Sequence, residues 1–396
     1  LGFTGNMDTY KPAEGSATRS DIAITDPDFK YPSLWKSNIA ADYKFGDGWV
    51  ATIELLYSKD INAIYHDNIG LYRTEQFVND GGAGNARPYY NGYYSDREGN
   101  QKAANHVVML RNTSKGHSLY TTFQLQKNFV DGILKGLYLN GSYSFGQSRG
   151  VTDGTSSVAT SAWKYRAALD GNAEEVGYTA GSFDGRLLLS ASYTANWSKY
   201  AATSFGLIYQ RYRPFRYSYC YNGDANGDSQ FSNDLMYIPA NFDEVKDHLL
   251  PGDFDSQEDA WKAMNAFIEQ DPYLSKHRGE YAERNGAVAP FANQLDLSVS
   301  HDIKIYQKNG RSHTLRFSFN IANFLNLLNR NWGVVQTTVL GNQQYQFLTI
   351  PKGQGPSAAN NYTLKYTMAK DLDETFKDNL NDVSRWQMQF GIKYIF

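Results

Sequence analysis

The sequence predicts an all-β chain, a transmembrane antiparallel β-barrel with long extracellular loops, and three observations predict it. The first is the closing stretch, residues 384–396, in which Trp386, Met388, Phe390, Ile392, Tyr394 and Phe396 alternate with Arg385, Gln387, Gln389, Gly391 and Lys393. A period of two, with aromatics at the ends of the apolar row, suits a strand that touches lipid on one side and a watery lumen on the other. The second is composition: 30 Tyr, 22 Phe and 7 Trp are the stock from which aromatic girdles are built. The third is an asymmetry of connections, tight turns on one side and long polar excursions on the other, which is the outer-membrane arrangement.

The strands come in chain order. Residues 34–45 run into Gly46-Asp47-Gly48 and return over 49–57, with Trp49, Ala51, Ile53, Leu55 and Tyr57 on one face. Leu119, Thr121, Phe123 and Leu125 lead to Asp131-Gly132, and the return shows Leu137, Leu139, Gly141, Tyr143 and Phe145. Leu187, Leu189, Ala191, Tyr193, Ala195 and Trp197 turn at Ser198-Lys199 into Ala201, Thr203, Phe205, Leu207 and Tyr209. Leu295, Leu297, Val299, Ile303 and Ile305 turn at Asn309-Gly310 into Leu315, Phe317, Phe319 and Ile321. Asp-Gly and Asn-Gly supply the positive φ that tight hairpins need. With the closing strand this makes about nine strands. In this register Leu189, Leu297, Phe317 and Met388 face lipid, and Ser190, Asp296, Arg316 and Gln389 face the lumen.

The long connections fall near 67–116, 150–183, 222–290 and 327–383, and stretches within them, such as Val107 to Arg111, 334–350 and 363–368, read as hairpin extensions. Residues 256–270 read as a helix with a serine cap, a stripe of Ala260, Met264, Phe267 and Ile268, and a stop at Asp271-Pro272, packed over the barrel mouth. An odd set of strands with two free edges cannot stand in lipid, so the remaining strands are expected from another chain or from a preceding part of this one. The abrupt start at Leu1-Gly-Phe-Thr points the same way, to a processed or partial chain.

Composition also excludes. Mean hydropathy is −0.56 and 20% of residues are charged, so nothing resembles the roughly 18 consecutive apolar residues of a spanning helix. A net charge of −3 without a basic stripe argues against nucleic acid as a partner. The single Cys220 rules out an internal disulfide and reads as a half-buried strand-end residue. Signatures of phosphate loops, zinc proteases and nucleophile elbows are absent, so no enzyme is expected. His66, His106, His117, His248, His277, His301 and His313 lack ligand spacing. Gly81-Gly-Ala-Gly84 lies in a polar loop without the context of a nucleotide site, and the three Asn-x-Ser/Thr sequences are chance matches in a bacterial outer membrane.

Two segments rise above this background. Tyr89, Tyr90, Tyr93 and Tyr94, with Arg87 beside them, crowd a loop where no lipid requires aromatics. Exposed tyrosines stack and hydrogen-bond adaptably, so they are candidates for ligand contact, with packing of one loop on another as the alternative. Asp224, Asn226 and Asp228 alternate as in the first half of an EF-hand loop. The backbone carbonyl of Gln230 and the carboxylate of Asp234 could complete the oxygen shell of a structural calcium ion. The twelfth loop position is Leu235, so the acid falls one residue early. The alternative is an Asn/Gly/Asp-rich turn held by its own side-chain to backbone bonds.

Several segments together resemble a known family. Residues 222–239, Asn-Gly-Asp-Ala-Asn-Gly-Asp-Ser-Gln-Phe-Ser-Asn-Asp-Leu-Met-Tyr-Ile-Pro, are similar to a segment of the Oar-like TonB-dependent receptors of Bacteroidota, relatives of SusC-type receptors. Asp271-Pro-Tyr-Leu274, His277-Arg-Gly279, Arg284-Asn-Gly286, Pro290-Phe291 and Leu295-Asp-Leu297 resemble the next segment of those receptors, and Asn320-Ile-Ala-Asn323, Asn326-Leu-Leu-Asn329 and Trp332-Gly333 resemble their penultimate-strand signature. The resemblance implies the last part of a barrel of about 22 strands in the outer membrane. It also implies a gated importer of a large, scarce ligand, with TonB acting through a plug that has no counterpart in these residues, and a surface lipoprotein as a partner. A barrel scaffold that does not transport and a passive porin are the competing readings.

Overall fold

The computed structural model describes residues 21–78, 87–93, 106–154, 156–306, 312–340, 344–356, 362–368 and 374–396. Nine long strands form an antiparallel meander, each pairing with the next along the chain. They are β1 (Leu34–Phe45), β2 (Trp49–Asp60), β3 (Gly116–Asn128), β4 (Leu137–Gly150), β5 (Arg186–Ser198), β6 (Ala201–Tyr212), β7 (Ala292–Tyr306), β8 (Ser312–Ala322) and β9 (Gln387–Ile395). These are the nine stretches that alternation picks out, most of them a few residues longer. Among the described residues the sheet is open: pairing ends at β1 on one side and β9 on the other.

Register carries one face through the whole sheet. Ile53 sits opposite Phe123, Phe123 opposite Tyr143, Leu189 opposite Gly141, Leu207 opposite Leu297, and Phe319 opposite Phe390. Leu189, Leu297, Phe317 and Met388 share that face, which is open to the surroundings: Ile39 is 70% and Phe390 66% exposed. The opposite face is laced by polar cross-strand bonds, from Asn38 to Glu54 (2.6 Å), Thr52 to Asp42 (2.5 Å) and Gln124 to Asn140 (3.0 Å). On the same face the Arg316 guanidinium grips both oxygens of Asp302 at 2.6 and 2.7 Å. A bidentate fork fixes both partners, which is what a wet but crowded wall requires.

The strands turn tightly at one end. Gly46 and Gly48 close the β1–β2 turn with φ of 50° and 86°, which a side chain would resist. The β3–β4 turn is longer than an Asp-Gly hairpin and spans 129–136, and the predicted Asn309-Gly310 turn lies outside the described residues.

At the other end the connections are somewhat longer than expected, although most strands outrun the stretches that alternation picks out. β2 ends at Asp60, not near 67, and Ala63–Asn68 then pairs with Val107–Thr113 in a separate small sheet. Nor are these segments mere excursions. They share the largest core among the described residues, with Tyr217, Tyr219, Tyr221, Met236, Ile238, Tyr345, Phe347 and Tyr362 buried together. Helix α2 (Gln257–Gln270) serves it, whereas α1 (Ala159–Lys164), which no sequence signal marked, puts Trp163 into a smaller cluster with Leu71, Tyr90, Tyr93 and Val108.

Helix α2 buries Ala260, Met264, Phe267 and Ile268, the predicted stripe. Ser256 caps it, its hydroxyl accepting the Asp259 amide at 3.0 Å. The stripe meets Tyr345 and Phe347 of the last long connection, so the helix belongs to the loop core. Just beyond it, Asp271 accepts the amides of Tyr273 and Leu274 and the hydroxyls of Tyr219 and Thr375. One carboxylate therefore joins three loop segments. Cys220 is fully buried rather than half-buried, because it lies inside this body between Tyr345 and Leu235.

Candidate metal centre

The acidic segment follows the strand Arg216–Tyr219 and folds as a chain of side-chain to backbone turns. Asp224 accepts the amides of Asn226 (3.2 Å), Gly227 (2.6 Å) and Ser229 (2.8 Å). Asn226 accepts from Asp228 (2.9 Å), Asp228 from Gln230 (2.8 Å), and Asp234 from Ala225 (2.8 Å). These bonds curl the loop until carboxylate oxygens of Asp224, Asp228 and Asp234 lie within 4.8 Å of one another. Among the described residues this is the one grouping of three or more such side chains close enough to share an ion. Asn226, Asp228, Gln230 and Asp234 are buried. Gly227 takes φ of 81°, and a Cβ there would collide with the Tyr90 carbonyl, so the glycine serves both the turn and the close approach of a second segment.

That second segment is the other predicted site. Leu71–Val78 and Arg87–Tyr93 form a hairpin that lies over the acidic loop, with the Tyr90 amide donating to the Asn226 carbonyl at 2.7 Å. Arg87 is wholly buried. It donates to Asp234 at 3.1 Å and to the Leu235 carbonyl, between the rings of Tyr221 and Tyr281. Tyr90 donates to Asp170 at 2.7 Å, and Tyr93 packs with His106 and Trp163. The expectation of exposed tyrosines is therefore corrected: Tyr89, Tyr90 and Tyr93 are buried, and loop-on-loop packing accounts for them. Tyr94 lies outside the described residues.

Charge decides what the arrangement can hold. Three carboxylates, those of Asp228 and Asp234 buried and that of Asp224 partly so, share one guanidinium, which leaves two negative charges uncompensated if all are ionised. Burial, then the field of Asp224, pushes Asp228 up to about 7. Asp234 is also raised, by burial and then by Asp228, with Arg87 opposing, and Asp224 is raised by burial. A dication would cancel the excess, and oxygen-only donors of this kind select a hard ion such as calcium.

One further buried oxygen belongs to a side chain beside the cluster. Asn233 is buried, its side chain hydrogen-bonds Asp228, and its Oδ1 has no partner. A buried amide oxygen without a partner is costly, and coordination would relieve it. Sequence spacing did not reveal Asn233, since it falls outside the alternating series. The Gln230 side chain is committed elsewhere, donating to the Ser229 carbonyl.

Comparison with family models, with curated proteins and with solved structures gave no match.

Proposed function

We propose that this chain is the C-terminal part of an outer-membrane barrel of the TonB-dependent receptor type, which imports a large, scarce ligand through a gated lumen. The observation that carries the reading is the single apolar face, held in register across nine strands and left open to the surroundings. A soluble sheet of this width would bury such a face or aggregate through it. Aromatics at the rims fit girdles at both interfaces: Tyr43, Phe45, Trp49, Trp197, Tyr394 and Phe396 near the short turns, Trp35, Tyr57 and Trp386 near the loops. The short turns would then be periplasmic and the loop body extracellular. Strands that complete the barrel would pair with β1 and β9, from the same protein or another chain.

The acidic cluster is assigned to a structural calcium ion held by Asp224, Asn226, Asp228 and Asp234, with the Asn233 amide oxygen and the Gln230 carbonyl. Such an ion would pin the acidic loop under the hairpin at 71–93 and stiffen the extracellular body.

The test is made on the full-length protein in its own cells. Outer-membrane fractionation, with retention after alkaline carbonate washing, is expected, and recovery in a soluble fraction would overturn the reading. Ligand uptake that collapses when the proton gradient is dissipated separates the importer from the non-transporting scaffold, which would reach the same membrane without energy-dependent uptake.

A further inference from the structure

Two arginines are buried side by side in the loop body. Arg166, just after α1, and Arg284, in the Arg-Asn-Gly turn, are 5% and 3% exposed. Both donate Nη1 to one oxygen, the Val151 carbonyl, at 3.3 and 2.5 Å. Their other bonds also go to carbonyls: Gly171 and Ala173 for Arg166, Gly150 and Glu175 for Arg284. Among the described residues neither forms an ion pair, and the Nε–H of each has no acceptor. Carbonyl dipoles solvate a cation but do not neutralise it. Two buried like charges, close enough to share an oxygen, are costly, and they are offset without any ion pair only by the fields of Glu175 and Asp170 on Arg166 and of Asp153 and Glu175 on Arg284. Burial, then Arg284, pushes Arg166 down to about 10.

The space beside them is a cavity of about 320 Å³, lined by Asp153, Tyr165, Arg166, Ser218, Arg284 and Gln344 among others. That volume lies near the lower end for small-molecule sites. Asp153 is the acid in the wall, and it is occupied by the Asn285 amide (2.9 Å) and the Ala180 N–H (2.8 Å). Glu175, whose field reaches both arginines, turns its carboxylate to the amides of Leu169 and Asp170. The lining thus carries two positive charges and one negative. That balance favours a singly charged anion and disfavours a phosphate dianion. The Ser218 hydroxyl is taken up by Asn285, and Gln344, whose amide nitrogen donates to the Tyr165 carbonyl at 3.4 Å, offers its Oε1 to a polar body, while the largely exposed Tyr165 is a surface for stacking.

We propose that this cavity binds a small polar molecule through a single carboxylate, which the two guanidiniums receive. The group can come from a sugar acid or from the end of a peptide, and the cavity is the same however the sheet meets its surroundings.

Purified full-length protein in detergent tests it by thermal shift and calorimetry, with glucuronate against glucose, triglycine against triglycine amide, and inorganic phosphate. Stabilisation by glucuronate or triglycine, but not by its neutral counterpart, is expected, and which of the two acts identifies the source. Arg284→Gln should abolish the response. Because that variant also loses carbonyl contacts, Asp153→Asn is the second arm: it keeps an acceptor, removes the one negative charge of the wall and should tighten carboxylate binding several-fold. Failure of both carboxylates to exceed their neutral partners, a response to phosphate alone, or unchanged affinity in Asp153→Asn would overturn the proposal.

Discussion

The nine-strand sheet and the loop body beside it bury opposite things. In the sheet, large apolar side chains such as Ile39, Phe390 and Ile392 stand open, and polar pairs such as Asn38–Glu54 and Asp302–Arg316 line the other face. In the loop body most of the aromatics are inside, and most of these are tyrosines with a hydroxyl partner, such as Tyr219 with Asp271 and Tyr362 with Tyr221, the Tyr345 hydroxyl being an exception. The contrast teaches where each region draws its stability. A strand in the meander is fixed by its ladder and by what lies outside it, whereas the loops are fixed by one another. Tyrosine suits the second task because it buries a large ring and still satisfies its polar tip.

The comparison is broken most severely at Phe267. Its ring is buried against Tyr345 and Phe347, so Phe267→Ala should destabilise the loop body by about 3–5 kcal/mol. Limited proteolysis should then cut the connections while the sheet stays protected. Equal protection of loops in wild type and variant would show that the loop core does not hold them.

Arginine scanning of the sheet comes next in size. Leu189→Arg and Leu297→Arg should each cost about 2–4 kcal/mol in lipid vesicles, and Ser190→Arg and Ser298→Arg much less. Urea unfolding measures both, and equal costs on the two faces would refute the orientation.

The acidic loop gives the third effect. At a calcium concentration of about 100 times Kd, the ion should add about 2.7 kcal/mol, seen as a Tm drop on chelation that Asp228→Asn abolishes. The pH dependence comes from Asp228. In the metal-free fold it holds its proton up to about 7, above the unfolded value, so ionising it costs stability as pH rises from the ordinary carboxylate range through 7. Calcium must displace that proton. Its stabilising increment should therefore be largest above neutrality and shrink as pH falls through 7, and a pH-independent increment would contradict the assignment.

The smallest effect concerns the α2 cap. Ser256→Ala removes the acceptor of the Asp259 amide and should lower stability by about 1 kcal/mol, with helix content nearly unchanged by circular dichroism.

Much of the fold was legible because strand and helix periods are local. The nine strands, the paired faces of Leu297 and Asp296, and the α2 stripe are all set by spacing within a dozen or so residues. The acidic loop was legible for the same reason: its turns bond residues two to five apart. Arg87 and Tyr90 misled because their partners lie far along the chain, at Asp234 and Asp170. Exposure of a polar loop is a fair default, and only a second loop folding over it changes the outcome.

The signature segments divide similarly. Asn323, in the left-handed region with φ of 52°, donates its backbone amide to the Asp296 carboxylate and its side-chain amide to the Gly333 carbonyl, tying the end of β8 to β7 and to the Trp332-Gly333 turn. That knot joins residues near in sequence. Arg284 instead meets Arg166 across more than a hundred residues, and neither position hints at the other.

By itself, then, the sequence determined which residues form strands, which faces they share, where the turns at residues 46–48 and 198–199 fall and which loop gathers carboxylates. Tertiary structure alone decided that the two singled-out loops meet at Arg87 and Asp234, that Asn233 is buried beside Asp228 with its Oδ1 unpartnered, and that two arginines converge on Val151. The physical reason is range. Periodicity and turn chemistry act between neighbours on the chain, while charge and burial act between neighbours in space, and in long loops those are different residues.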